Sequence, residues 1–274
     1  MSIENKEVSK PTKKFGVMQY FLIIIGVICI GVAGYGLFDI FSDYNTAVET
    51  YDELEEEFVQ EFIPSKDSNS GNNGTEVNSE VQVPWYQLVS VDLKGIQKKY
   101  PEVVGWIYFE NEKLSYPVMQ TTDNEKYLTL TYDGKTTNSG SIFMETTHSS
   151  DFSDTHTIIY GHNMKNLSMF GKLKFYRTKS GYYDNHQYFQ IFSGNQILRY
   201  RVFAYEEVGV DSFVYQQSFQ SAKELGNKLI EGSMVNAGIT INDGDKIITL
   251  STCTADDEHR FIVCGVLVET YTIE

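Results

Sequence analysis

The stretch 245–269, DKIITLSTCTADDEHRFIVCGVLVE, decides the fold because it holds two apolar runs that are joined by a short polar segment. The runs 247–250 and 261–268 are rich in β-branched and large apolar residues, which is typical of β-strands. The polar segment between them is short enough to form a hairpin loop. An antiparallel pair of this kind would place Cys253, which ends the first run, beside Arg260, which opens the second.

Cys253 and Arg260 together suit nucleophilic attack on a carbonyl, because a thiolate is a nucleophile and a fixed guanidinium stabilises the oxyanion that forms. Such a reaction also needs a general acid or base. His162 fits that role best, because it follows the apolar run 157–160 and Gly161, at which the backbone can turn. His162 would therefore lie at the end of a strand, as Cys253 does.

The other histidines offer weaker alternatives. His259 is next to the arginine, but successive residues of a strand point to opposite faces, so His259 would point away from the site. His148 and His156 flank a loop that contains Asp151 and Asp154, and this group can be read as a metal site. Solvated loop residues are the commoner explanation, and we predict neither a metal nor a cofactor.

Cys253 and Arg260 also have purely structural interpretations. Cys253 could be a buried thiol, or it could form a disulfide with Cys264. If Cys253 pairs with Arg260, however, Cys264 lies four residues farther along the strand, roughly 13 Å away and beyond the limit of about 7 Å between bridged Cα atoms. Arg260 could form only a surface salt bridge with Asp256 or Asp257. On these residues alone, the catalytic and structural interpretations both remain open.

The element Thr249-Leu-Ser-Thr-Cys253 is followed by Arg260, and Tyr160-Gly-His-Asn-Met164 lies about ninety residues upstream. This combination resembles the sortases, and most closely those of class B. The resemblance covers roughly residues 85–270. Two further segments are similar to class B sequence, namely Val104-Gly-Trp-Ile107 and Gly140-Ser-Ile-Phe-Met144.

The three candidate residues suggest a mechanism, and the resemblance implies a substrate. Cys253 would attack a backbone carbonyl, Arg260 would hold the oxyanion and the substrate backbone, and His162 would protonate the leaving amine. The resemblance implies that the substrate is the C-terminal sorting signal of another secreted protein, cut after a threonine. It also implies that the resulting thioester passes to an amine of the peptidoglycan precursor. Ser251 and Thr252 are candidates for lining the substrate groove.

Three other functions remain open at this point. A pilin-polymerising sortase would use a lysine side chain as the amine acceptor. A membrane-tethered cysteine hydrolase would use the same three residues and pass the acyl group to water. A non-catalytic surface-binding module would need none of them. The net charge of −15 argues against nucleic acid as a partner, because nucleic-acid binding requires a basic surface.

The N-terminal region is organised around a membrane segment. Residues 15–38 carry no charge, and a helix of this length, at about 1.5 Å per residue, spans a bilayer core of about 30 Å. Four lysines precede this segment, whereas the residues after it are acidic. The positive-inside rule therefore places the tail 1–14 in the cytoplasm and the catalytic domain outside the cell membrane. A cleavable signal peptide is the alternative, but the apolar run is longer than is usual for one.

Beyond the membrane segment we predict three further regions. Residues 39–63 have the spacing of an amphipathic helix with an acidic face, which we interpret as a stalk. Residues 64–80 are rich in Ser, Asn and Gly and predict a disordered linker. The catalytic domain is expected at 81–274, and a chain starting near Val81 is expected to fold and to keep its activity. The apolar stripe of the acidic helix consists of Phe41, Tyr44, Val48, Tyr51, Leu54, Phe58 and Phe62.

The catalytic domain has the pattern of a mainly β protein. Its strand-like runs, with the final pair, predict a closed eight-stranded antiparallel barrel, which is also the fold that the resemblance implies. A helix at 91–100, stopped by Pro101, precedes the barrel, and a helix within 217–234 lies between the sixth and seventh strands. The first six predicted strands are 104–109, 115–119, 141–144, 157–160, 188–192 and 197–208.

Overall fold

Eight strands close into a barrel in the computed structural model of this chain. The structure describes residues 16–62, 83–216, 219–253 and 258–273. The predicted cytoplasmic tail, the predicted linker and the loop residues Asp256 and Asp257 lie outside the described residues. The side chains that are not described within helices and strands are those of Val17, Asp39, Ile40 and Cys253.

The predicted strands of the barrel and the predicted helices occur in the predicted order, but the predicted helix 39–63 ends at Phe58 and is followed by a short strand, Val59–Glu61. The described helices are α1 (Val17–Phe58), α2 (Leu93–Lys99), α3 (Lys126–Thr129), α4 (Phe175–Thr178), α5 (Tyr182–Asn185), α6 (Phe213–Gln216) and α7 (Ala222–Gly232), with a 3-10 turn at Trp85–Gln87. The described strands are β1 (Val59–Glu61), β2 (Val89–Val91), β3 (Val103–Phe109), β4 (Ser115–Met119), β5 (Ile142–Met144), β6 (His156–Tyr160), β7 (Tyr188–Ser193), β8 (Gln196–Gly209), β9 (Ile247–Cys253) and β10 (His259–Thr272).

The first compact unit of the chain, Met1–Asp43, contains the beginning of helix α1. An 18-residue window of this helix has a mean hydropathy of 2.5, and none of that window is buried. By length and composition the helix can cross a membrane. It includes most of the segment 15–38 for which the sequence predicts a membrane span.

The barrel strands follow the order β10-β8-β7-β3-β4-β5-β6-β9, and β9 closes the sheet by pairing with β10. The predicted closed eight-stranded barrel is therefore confirmed. The prediction that it is purely antiparallel is wrong, because β4 pairs with β5 and β6 pairs with β9 in parallel. Long connections join the strands of both parallel pairs, which allows the chain to return to the same end of the barrel before it pairs.

Large apolar side chains from all eight barrel strands fill its interior. On most strands they lie at two-residue steps, as expected for one face of a pleated sheet. Examples from the two closing strands are Ile248 and Leu250 on β9 and Phe261 and Val263 on β10, which are all at most 1% exposed. The alternate residues of these strands point outward, and some of them carry the site.

Two predicted helices cover the outside of the barrel. Helix α2 begins after Asp92, whose side chain accepts a hydrogen bond from Gly95 N at 2.9 Å and so caps the helix. Helix α7 lies between the sixth and seventh barrel strands and is capped by Ser221. Its Leu225 and Leu229 are completely buried among outward-facing residues of β8, β9 and β10. The predicted helices at 91–100 and within 217–234 thus have their counterparts in α2 and α7.

The middle of the apolar stripe, from Tyr44 to Phe58, packs against the barrel, whereas Phe41 and Phe62 at its two ends are exposed. Tyr51 and Leu54 are at most 5% exposed, and they belong to clusters of buried side chains that include barrel residues. The second compact unit therefore begins at Tyr44, earlier than the predicted start of the catalytic domain. The sequence shows the apolar stripe but not the surface that it packs against. From the sequence alone, this part of the helix is therefore interpreted as a stalk.

A chain that starts at Val81 is expected to be less stable than one that starts at Asp43, because it lacks the buried side chains of helix α1. A fully buried large side chain contributes about 1.5–3 kcal/mol. The loss of two such side chains lowers Tm by on the order of 10 °C in a domain of this size. Thermal unfolding of both chains measures the difference in Tm. Leu54→Ala in the longer chain should lower its Tm by part of that difference. Equal Tm values for the two chains would contradict the packing of this helix.

Candidate active site

Three neighbouring strands bring the predicted catalytic residues to one end of the barrel. Cys253 pairs with Arg260 in the register of β9 and β10. On the other side of β9, Tyr160 pairs in parallel with Ser251, and Gly161 N donates to the Ser251 carbonyl at 3.1 Å. His162 lies two residues after Tyr160, and Cys253 lies two residues after Ser251, so both extend equally far beyond this pair. The backbone therefore places the cysteine in the central strand, with the arginine on one side and the histidine on the other.

The imidazole of His162 is held by a backbone carbonyl. Its Nε2 lies 2.8 Å from the carbonyl oxygen of Leu128, and the side chain is partly exposed. A carbonyl oxygen can only accept a hydrogen bond, so Nε2 carries the hydrogen in this contact. In the neutral ring, Nδ1 is then the nitrogen that can accept a proton. This arrangement suits a general acid and base.

The loop after His162 folds back and forms a hydrogen bond with the main chain of the histidine. Phe170 N donates to the His162 carbonyl at 3.0 Å, and Met169 N donates to the hydroxyl of Tyr116 at 3.1 Å. Leu167 and Met169 have φ values of 69° and 50°, in the left-handed region that side chains rarely adopt. Such a conformation persists only where the surrounding contacts fix it. The loop is thus a constrained support for the histidine.

Arg260 has a fixed place at the start of β10. Its backbone pairs with Cys253 on one side and with Val208 on the other. The half-buried guanidinium donates from Nη1 to the carbonyl oxygen of His259 at 2.8 Å. His259, the alternative histidine, occupies the preceding position on β10, opposite Gly209.

A cavity of about 230 Å³ opens beside these residues. Ser251 and Thr252, the predicted groove residues, both contribute to its wall. Ser251 Oγ lies 2.8 Å from the hydroxyl of Tyr215. Thr252 Oγ1 is buried and has no hydrogen-bond partner among the described residues. The described lining consists of Asn124, Leu128, Phe143, Tyr160, Gly161, His162, Ser251, Thr252 and Arg260.

A polar cluster on the cavity wall is absent from the sequence-based prediction. Asn124 Nδ2 donates to Glu145 Oε1 at 2.6 Å, and Tyr160 Oη donates to Glu145 Oε2 at 3.0 Å. Burial alone would raise the pKa of Glu145, but the hydrogen bonds from Asn124, Tyr160 and Thr146, together with the nearby His148, outweigh it and lower that pKa. Tyr160 precedes His162 in a recognisable motif, whereas Asn124 and Glu145 have no local sequence signal that points to the site.

The histidines that suggested a metal site have other contacts. His156 Nε2 lies 2.8 Å from Thr249 Oγ1, and burial lowers the pKa of His156 to about 3. His148 Nδ1 lies 3.6 Å from Asp154 Oδ2. Within the part of the chain that the structure describes, no group of three or more His, Cys, Asp or Glu side chains could hold a metal ion.

The second cysteine of the barrel is a core residue. Cys264 is completely buried opposite Thr249, whose Oγ1 lies 3.5 Å from its sulfur. Burial raises the pKa of the Cys264 thiol to about 12, so this residue stays protonated and unreactive at neutral pH. It is a free cysteine, four register positions from the pair of Arg260 with Cys253.

Comparisons with known proteins show the family of this chain. A family model described as the sortase domain matches residues 107–268. Sortase B of Listeria monocytogenes is 29% identical over 238 residues, which cover 84% of this chain and 92% of that protein. The crystal structure of sortase B from Bacillus anthracis has a TM-score of 0.66 at 27% identity and covers 84% of this chain and 100% of its own. The sortase B–substrate complex of Staphylococcus aureus has a TM-score of 0.59 at 25% identity, covering 64% of this chain and 84% of its own.

Proposed function

Because this chain belongs to the sortase family and is a cysteine transpeptidase like its class B relatives, we propose that Cys253, His162 and Arg260 carry out its reaction. The observation that supports these roles is the backbone register. Arg260 lies on β10 and His162 lies two residues after the end of β6, and these are the two strands that flank β9, which Cys253 ends. No other residues are needed to supply a nucleophile, a proton carrier and an oxyanion donor.

The first half of the reaction forms a thioester. The Cys253 thiolate attacks the carbonyl carbon of the scissile peptide bond, and the guanidinium of Arg260 donates hydrogen bonds to the oxyanion. When the carbon–nitrogen bond breaks, the leaving amine takes a proton from the His162 imidazolium. A thioester between Cys253 and the substrate remains.

The second half transfers the acyl group. An acceptor amine attacks the thioester carbonyl and gives its proton to Nδ1 of the neutral His162 ring. The carbon–sulfur bond then breaks, a new amide is released, and Cys253 returns to the thiolate. We propose that the acceptor is an amine of the peptidoglycan precursor.

The substrate of this proposed reaction is the C-terminal sorting signal of a secreted protein. Sortases act on such signals, and the Staphylococcus aureus relative has been solved in a complex with its substrate. The cavity of about 230 Å³ combines the apolar side chains of Leu128 and Phe143 with polar groups of Ser251 and Thr252. It is smaller than a typical pocket for a drug-sized ligand, of about 300–1,000 Å³, so it fits a short part of an extended peptide.

Mass spectrometry tests this function directly. Candidate sorting peptides incubated with the full-length chain should give a covalent adduct on Cys253, and an added amine should convert that adduct into an amide product. Release of free acid at the same rate with and without the amine would favour the hydrolase instead. Preferential transfer to a pilin lysine would favour the pilus-polymerising alternative.

We also propose an orientation for the chain in the cell membrane. The lysines before the apolar helix and the acidic residues after it support a cytoplasmic N-terminus and an extracellular barrel. Protease added to intact cells is therefore expected to cut within 64–80 and to give, on a denaturing gel, a fragment that contains the barrel. Lysed cells provide the control, because the N-terminal tail should be cut only there. Protection of 64–80 in intact cells would contradict this orientation.

A further inference from the structure

Tyr51, in the part of helix α1 that packs on the barrel, contacts two segments that hold His162. The side chain of Tyr51 is 5% exposed, although the residues around it in the helix are largely acidic. Burial raises the pKa of Tyr51, so its hydroxyl keeps its proton and remains a hydrogen-bond donor at neutral and alkaline pH. The stripe to which Tyr51 belongs has no role in the proposed reaction itself.

The hydroxyl of Tyr51 is linked, through Gly140, to the Leu128 carbonyl that binds the His162 ring. It donates to the carbonyl oxygen of Gly140 at 2.8 Å and lies 2.8 Å from Ser141 Oγ. Gly140 has a φ of 53°, and a Cβ at this position would lie 2.6 Å from the carbonyl oxygen of Leu128. The Gly140 backbone therefore packs directly on that carbonyl. The same Leu128 oxygen accepts the hydrogen bond from His162 Nε2.

The ring of Tyr51 is linked, through Tyr116 and the loop after His162, to the main chain of that histidine. It packs edge-on against the ring of Tyr116, with 5.4 Å between centroids. The Tyr116 hydroxyl accepts the hydrogen bond of Met169 N, which lies in the constrained loop after His162. Phe170 N, the next residue of that loop, donates to the His162 carbonyl. Through these neighbours, Tyr51 is linked both to the Leu128 carbonyl, which binds the His162 ring, and to the loop that binds the main chain of His162.

We propose that Tyr51 is a positioning residue for His162, and that the helix leading out of the membrane segment thereby orients the proton carrier of the site. This inference rests on the proposed catalytic role of His162. Tyr51 touches neither the substrate cavity nor the reacting atoms. Its loss should therefore slow proton transfer and leave peptide binding nearly unchanged.

Tyr51→Phe in the full-length chain, purified in detergent, tests this role. We expect kcat to fall roughly 10-fold, part of the about 100-fold that a misplacement of 1 Å can cost. KM should stay within about twofold, since uniform binding is not affected. Ring ¹⁵N shifts of His162, assigned by their loss in His162→Ala, should change from those of the Nε2–H tautomer toward a mixture of tautomers.

Tyr132→Phe is the matched control. The Tyr132 hydroxyl donates to the Thr50 carbonyl at 3.0 Å and so also links helix α1 to the barrel. Its removal loses a hydrogen bond of similar length but leaves Gly140 and Leu128 in place. We expect near-normal kcat and unchanged His162 ring shifts for this variant. An equal loss of kcat in both variants would overturn the proposal, because general docking of the helix would then explain it.

A second variant covers the case in which Tyr51→Phe does not fold. Tyr116→Phe removes the acceptor of Met169 N and should lower kcat in the same direction with KM nearly unchanged. Normal kcat or unchanged His162 shifts in the folded variants of Tyr51 and Tyr116 would overturn the inference. If His162→Ala itself stays active, the proposed function fails. If His162→Ala is inactive and Tyr51→Phe is normal, only the present inference fails.

Discussion

Cys253→Ala is expected to abolish both the covalent adduct with a sorting peptide and its turnover, because no other residue of the site can form the thioester. Turnover with an amine acceptor should fall to the uncatalysed background. Mass spectrometry of the protein after incubation with the peptide, together with product formation, measures both effects.

The matched control for this variant is Cys264→Ala, which should keep most of the activity. Its thiol is completely buried, and its pKa of about 12 keeps it protonated. A folded Cys253→Ala protein that still forms the adduct would remove Cys253 from the mechanism. If the adduct moved to Cys264, the assignment of Cys264 as an unreactive core residue would also be wrong.

Arg260→Lys is expected to lower turnover by roughly 100- to 1,000-fold, although it keeps the positive charge. The planar guanidinium can donate two hydrogen bonds in a fixed geometry to an oxyanion and a neighbouring carbonyl, whereas an ammonium group is a compact point charge. Turnover of a sorting peptide with an amine acceptor measures the loss.

His259→Ala is the control beside Arg260, and it should keep most of the activity. The contact that Arg260 makes to His259 uses the backbone carbonyl, which alanine retains. A near-normal rate for Arg260→Lys would instead indicate a salt-bridge role of the kind that is worth little at a protein surface.

Local sequence patterns predicted much of the site because the site lies at strand ends. Alternating and continuous apolar runs located all eight barrel strands, and the short loop of the final hairpin fixed the register of Cys253 with Arg260. His162 was found by the same reasoning, from a strand followed by a glycine. The roles of these residues stay predictions until the variants are measured.

The sequence did not predict the features that depend on distant pairing. The parallel pairing of β6 with β9 joins strands that are far apart in the chain, and that of β4 with β5 follows a long connection; periodicity alone does not identify the partner of a strand. Leu128 and Asn124 reach the cavity from a connection between strands, so no local motif marks them. Tyr51 was visible as part of a stripe, but the surface that covers the stripe is built from residues far along the sequence.

The parallel pairing of β6 with β9 has a consequence for how the enzyme folds. It joins His156 to Ile247, about ninety positions apart, so its contact order is high and the entropy of closing that loop must be overcome first. The hairpins β7–β8 and β9–β10 are local and can form before it. A partly folded chain with both hairpins already pairs Cys253 with Arg260, whereas His162 is still on a separate segment. With the proposed roles of these three residues, catalytic competence arises only with barrel closure, and recovered activity reports completion of the whole fold.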